Sequence, residues 1–171
     1  MASRSKTAGD RVEGAVIQEP GTIKVLGTPL TVTTYADLIT LCGVWGKKAP
    51  VAVDFTNTQI VTMRRHDRAF RELTGHVDRF IPDGMPLIWA LNDRGAGLAD
   101  RVYGPTFMRE CLLKSPRERT HYFLGGSEEC LTKLRATFER RRPEARIVGA
   151  CFPTTRFDRG RAARRPPARR E

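Results

Sequence analysis

An apolar stretch running into Ile81, Pro82, Asp83, Gly84, Met85, Pro86 and Leu87 sets a carboxylate and a glycine at the carboxyl end of a strand candidate. In open α/β sheets ligands settle in the crevice beyond those ends, and a glycine beside the acid lets the backbone turn and approach a substrate. Asp83 is therefore the first candidate for a catalytic base, with Gly84 as its substrate-side neighbour. A plainer reading stands beside it, in which Asp83 caps the helix that starts near Met85 and Pro86 takes an early helical position. Leu124, Gly125, Gly126, Ser127 and Glu128 form a second candidate, a strand-to-helix turn whose amides could hold a phosphate. That turn is neither a GxGxxG nor a Walker A sequence, and ordinary turn chemistry with Ser127 as cap explains it equally well. Arg101 and Tyr103, just before Gly104, are similarly open between an arginine forked onto a diphosphate and a common surface arginine.

These groups need a scaffold, and the apolar periodicity supplies one. Thr22 to Leu26 and Leu30 to Val32 read as a hairpin around Gly27 and Pro29. Thr34 caps a helix carrying Leu38, Ile39, Leu41 and Cys42, ended by Gly43 or Gly46. Val51 to Phe55 is a buried strand, and Asn57 or Thr58 opens a helix with Ile60, Val61 and Met63 on its apolar side. Arg64, Arg65, His66, Asp67 and Arg68 then read as a solvated helix surface. His76 to Ile81 is the strand that delivers Asp83. Gly104 and Pro105 introduce a helix closed by Ser115 and Pro116, Tyr122 to Leu124 is a short strand, a helix runs on toward Arg142, and Arg146 to Ala150 is the last strand. Alternating strands and helices predict an α/β fold, a Rossmann-like three-layer sandwich with a largely parallel sheet.

The chain has 171 residues, 40% of them hydrophobic, and no apolar run near the ~20 residues a membrane-spanning helix needs. Met1 to Glu13 lacks the apolar core of a secretory signal, which predicts a cytoplasmic location. Cys42, Cys111, Cys130 and Cys151 are far apart and His66, His76 and His121 fall at no ligand spacing, so no metal site is expected. The formal charge is +11, to which the stretch from Arg156 onward contributes seven arginines against Asp158 and Glu171. The expected organisation is a flexible leader over 1–20, one α/β domain over 21–152 and a disordered Arg/Pro/Ala-rich tail over 153–171. Because the chain ends just after a strand, the sheet is expected to be incomplete at its C-terminal end.

In both wording and order these pieces resemble the WecB/TagA/CpsF glycosyltransferase family. The matching blocks are Val53 to Val61; Val77, Asp78 and Pro82 to Leu87 with Trp89; Ala99 to Pro105; Tyr122 to Ser127; and Arg146 to Gly149. The resemblance implies transfer of an N-acetylmannosamine-type sugar from a UDP-sugar donor to a lipid-diphosphate-linked acceptor, at the inner face of the cell membrane, in the synthesis of a cell-surface polymer. It implies Asp83 as general base, inversion at the sugar carbon, and no cofactor or metal beyond the donor itself. Thr56 and Asn57 would recognise substrate hydroxyl or acetamido groups, Asn57 being the firmer match because Phe55 stands where some relatives place the threonine. Arg101, Gly104, Gly125 and Gly126 would lie on the donor side. Against the family pattern, the residues after Gly149 change to the arginine-rich tail, which predicts a truncated or altered copy with weak activity. A different class of function is a noncatalytic basic protein that binds nucleic acid or anionic membrane through that tail.

Overall fold

The computed structural model describes residues 11–12, 15–16, 19–45 and 49–152. The tail 153–171 and most of the leader 1–20 lie outside the described residues. Two short strands at the start, β1 (Arg11–Val12) and β2 (Ala15–Val16), pair antiparallel. The chain divides into two compact units, Met1–Ser115 and Pro116–Glu171.

In the first unit, β3 (Thr22–Val25) and β4 (Thr28–Thr31) form the expected hairpin, pairing antiparallel from Thr22↔Thr31 to Val25↔Thr28. Its turn is Leu26–Gly27, both with positive φ, 48° and 85°. That geometry matches the right-handed twist of the strands it joins. Pro29 is not a turn residue: it lies inside β4 opposite Lys24. Helix α1 (Tyr35–Val44) opens on a full capping box, with the Thr34 side chain accepting from the Asp37 N–H and the Asp37 carboxylate accepting from the Thr34 N–H. Gly43 lies within that helix, and Trp45 is its C-cap. Strand β5 (Val53–Thr56) begins later than expected and leads into α2 (Thr58–His66), α3 (Arg68–Leu73) and a 3-10 turn at Thr74–His76. His76 is therefore not in a strand; β6 (Arg79–Pro82) follows, then α4 (Met85–Asn92) and α5 (Gly104–Lys114).

The four strands run in the order β3-β4-β6-β5, with β4–β6 and β6–β5 parallel. Successive strand residues point to opposite faces, and Phe80 and Ile81 of β6 divide the core accordingly. Phe80 packs with Val25, Leu30, Val61 of α2 and Leu87, Ile88 and Leu91 of α4. Ile81 packs with Leu38, Leu41 and Trp45 beside α1, with Val102, and with Phe55 and Phe107. Helices thus cover both faces, which gives three layers with mostly parallel pairing, a Rossmann-like α/β fold.

The RRHDR cluster is not simply a solvated surface. Arg64 is 8% exposed and lies against the sheet, its guanidinium carbon 4.3 Å from the Phe80 ring centroid. Its Nε donates to Thr28 Oγ1 at 3.3 Å and its Nη1 to the Thr74 carbonyl at 3.2 Å. Asp67 is also engaged, accepting the Phe70 N–H as the cap of α3.

The second unit pairs β7 (Thr120–Leu124) in parallel with β8 (Arg146–Cys151), joined by α6 (Glu128–Arg141). Leu131 and Phe138 of α6 and Phe123 of β7 are its buried apolar residues, with the two phenyl rings 6.4 Å apart.

Candidate active site

The helices that follow adjacent strands mark the end of the sheet at which a ligand is expected in the first unit. The chain leaves β4 into α1 on one face and leaves the adjacent β6 into α4 on the other. Neighbouring strands whose connections part in this way form the topological switch point at which ligands bind in open α/β sheets. Asp83 follows β6 at that point.

The carboxylate of Asp83 does not cap its own helix. The N-cap of α4 is Gly84, which has no side chain with which to bond the helix amides. Asp83 instead accepts the Gly104 N–H at 3.2 Å through Oδ2, which among the described residues is the one bond to its side chain. Gly104 is the first residue of α5, so the acid sits where the helix dipole favours a negative charge. On the backbone side, the Asp83 N–H donates to the Thr56 carbonyl at 2.7 Å, continuing the β5–β6 register beyond Thr56↔Pro82. Asp83 is half-buried, held from one side by β5 and from the other by α5.

Thr56, Asn57, Asp83, Gly84, Arg101 and Gly104 are therefore brought to one end of the first unit. Thr56 is fully buried, and its hydroxyl donates to the Asp54 carboxylate. Asn57 is exposed and serves as the N-cap of α2, its Oδ1 accepting the Ile60 N–H at 3.1 Å. Both residues thus have complete structural duties, and only Asn57 retains polar atoms open to solvent. Gly84 is in extended conformation (φ −176°), and an added Cβ would meet nothing nearer than Pro86 Cδ at 3.9 Å. The turn itself therefore does not require glycine there.

Gly104 is different. A Cβ at this position would lie 3.2 Å from Phe55 Cγ and 3.3 Å from Phe55 Cβ, so the phenylalanine at the end of β5 and the glycine opening α5 are fitted to each other. Phe55 also packs against Phe107, one turn on in α5, with ring centroids 5.1 Å apart. Just upstream, the Arg101 guanidinium carbon stands 5.1 Å from the Tyr103 ring centroid. The Val102 N–H donates to the Pro82 carbonyl at 3.2 Å, and the Tyr103 N–H to the Tyr35 phenol oxygen at 2.8 Å. Tyr35 was not singled out by the sequence, where an aromatic one residue after a capping threonine carries no signal.

Gly125 and Gly126 lie in the second unit, with φ of 107° and 80°, a region in which L side chains are strained. The Gly125 N–H donates to the Cys151 carbonyl at 2.9 Å, and Ser127 caps α6 by accepting the Cys130 N–H. The helix then begins with Glu128 and Glu129. Turn geometry accounts for both glycines, and of the two acidic residues in the first turn of α6, Glu129 pairs with Lys133 one turn on. Nearby in β7, His121 is held below its ordinary 6.5 by burial first and then by the charges of Arg119 and Arg142.

Among the described residues no group of three or more His, Cys, Asp or Glu could hold a metal ion, and no helix is long and apolar enough to cross a membrane. No curated protein matches the chain. A family model described as the Glycosyl transferase WecG/TagA/CpsF family matches residues 23–165, running past Gly149, where the blocks read from the sequence end. With most of its length inside that match, the chain belongs to the WecG/TagA/CpsF family of glycosyltransferases.

Proposed function

We propose that the protein transfers an N-acetylmannosamine-type sugar from a UDP-sugar to a lipid-diphosphate-linked acceptor in the synthesis of a cell-surface polysaccharide or teichoic acid, with Asp83 as general base. The observation that carries this reading is the setting of Asp83: a carboxylate at the switch point that does not cap its own helix, with one of its oxygens bonded among the described residues. In the proposed step the acceptor hydroxyl attacks the anomeric carbon of the donor and its proton passes to Asp83. The bond from that carbon to the diphosphate oxygen breaks, and UDP leaves with the electron pair. A single displacement of this kind inverts the sugar carbon. Arg101 would meet charge on the departing diphosphate, and the exposed part of Asn57 would contact a hydroxyl or acetamido group. No metal or cofactor enters this scheme. A lipid-linked acceptor would place the enzyme in the cytoplasm, peripheral at the inner face of the membrane.

The test is Asp83→Asn in the full chain, assayed for UDP release from a UDP-N-acetylhexosamine in the presence of a lipid-diphosphate acceptor. Loss of a general base is expected to lower kcat by about 10²- to 10⁴-fold while the circular dichroism spectrum and thermal midpoint stay near wild type. Turnover within twofold of wild type would remove Asp83 from the chemistry.

A further inference from the structure

We propose that Tyr35 is a positioning residue for this site, its phenol clamping the Arg101–Gly104 segment so that the Gly104 amide faces Asp83; the functional half of this inference rests on the reading of Asp83 given above. Three consecutive amides of that segment are bonded to other elements of the first unit, the outer two to adjacent residues at the end of β6 and the middle one to α1. Val102 donates to the Pro82 carbonyl at the end of β6, Tyr103 to the Tyr35 phenol oxygen at the start of α1, and Gly104 to the Asp83 carboxylate. Consecutive backbone nitrogens lie within about 4 Å of each other, so the phenol oxygen and the carboxylate straddle the same two amides and are at most about 10 Å apart.

The strength of the clamp comes from what holds Tyr35 itself. It is the first residue of α1, between Thr34 and Asp37 of the capping box, so its backbone is set at a fixed helix start. Its ring packs on the cluster of Leu38, Leu41, Ile81 and Val102, the last of which is 1% exposed and belongs to the clamped segment. Ring packing and hydroxyl bonding therefore act on the same four residues. Removal of the hydroxyl leaves the packing in place and releases the Tyr103 amide. The segment then loses its tie to α1, and the peptide that points the Gly104 N–H toward Asp83 keeps only its anchor within α5, where the Tyr103 carbonyl accepts the Phe107 N–H at 2.9 Å. The same tie sets the backbone from which Arg101 projects beside the Tyr103 ring.

The experiment compares the full chain with its Tyr35→Phe variant in two measurements. Amide hydrogen exchange of Tyr103 and Gly104, read by NMR, should be protected in the wild type and about threefold to tenfold faster in the variant, with α4 and β6 unchanged. Sugar transfer, with a UDP-N-acetylhexosamine and a lipid-diphosphate acceptor, should show kcat lowered about tenfold, donor KM within about twofold and the thermal midpoint nearly unmoved. Wild-type amides at 103 and 104 that exchange freely, or exchange that Tyr35→Phe leaves unaltered, would overturn the clamp. A kcat loss that merely follows a fallen thermal midpoint, or a raised KM at constant kcat, would overturn its positioning role. Should the wild type transfer no sugar at all, the exchange measurement still decides the clamp, and the failure belongs to the proposed reaction.

Discussion

Adding one carbon at Gly104 should disturb both the packing and the carboxylate at this site. The new Cβ of Gly104→Ala would stand 3.2, 3.3 and 3.5 Å from Phe55 Cγ, Cβ and Cδ2, inside the ~3.5–4.0 Å at which carbon atoms attract. Phe55 has little room to turn, because the Phe107 ring, one turn along the same helix as Gly104, already packs against it with centroids 5.1 Å apart. Overpacking of this kind costs about 1–3 kcal/mol, partly offset by the ~1 kcal/mol that alanine gains over glycine in a helix. The net expectation is a loss of up to about 2 kcal/mol. The Gly104–Asp83 bond, already 3.2 Å long, would also stretch with the few tenths of an ångström of movement the clash demands. A urea-unfolding cycle with Phe55→Leu isolates the contact: the smaller side chain clears the space, so alanine at 104 should cost nearly nothing in that background. The resulting coupling of about 1 kcal/mol or more is the expected signature. Equal effects of Gly104→Ala in both backgrounds would refute the argument that Phe55 and Gly104 are mutually fitted.

Gly84→Ala should leave the urea midpoint within about 0.5 kcal/mol of wild type, since its Cβ meets only Pro86 Cδ at 3.9 Å. If substrate approaches the backbone there, sugar transfer should nonetheless fall at least tenfold, and full activity would show that no such approach occurs. The second unit should lose stability as pH falls below about 6.5. His121 is held below that ordinary value in the folded state, so the unfolded chain binds the extra proton more readily through the window beneath it. Denaturant titrations of wild type and His121→Gln between about pH 7 and 5 check this, with the slope expected to flatten in the variant.

What could be read from the sequence was local. Thr34, Asn57 and Ser127 were recognisable as helix starts because each is a side-chain acceptor standing directly before an apolar periodic run, and each caps the helix it precedes. Gly104–Pro105 and Ser115–Pro116 bracketed α5 for the same reason, Pro being tolerated at a helix start and unable to extend one. The contacts that shape the site join residues far apart in the chain and left no local trace. Asp83 finds its partner 21 positions on, at Gly104, and Tyr35 meets Tyr103 across 68. Arg64 looked solvated because charge runs usually are, whereas its burial is decided by Thr28 and Thr74 arriving from two other elements. Pro29 looked like turn chemistry, yet the turn uses Leu26 and Gly27 with φ above zero, a conformation that a leucine does not advertise.

Arg64 has a consequence for how the first unit comes apart. The β3–β4 hairpin has one registered pair with β6, Leu30↔Phe80, and is held to the sheet mainly by Val25 and Leu30 in the core. The guanidinium adds a polar fastening to that packing, since it grips Thr28 of the hairpin, the Thr74 carbonyl after α3 and the face of Phe80 at once. Peeling the hairpin away strips a buried cation of a partner it cannot replace without water entering beside Phe80. The hairpin, the base of α2 and β6 are thereby bound into one all-or-none block, and the strand that carries Asp83 keeps its place for as long as that rivet holds.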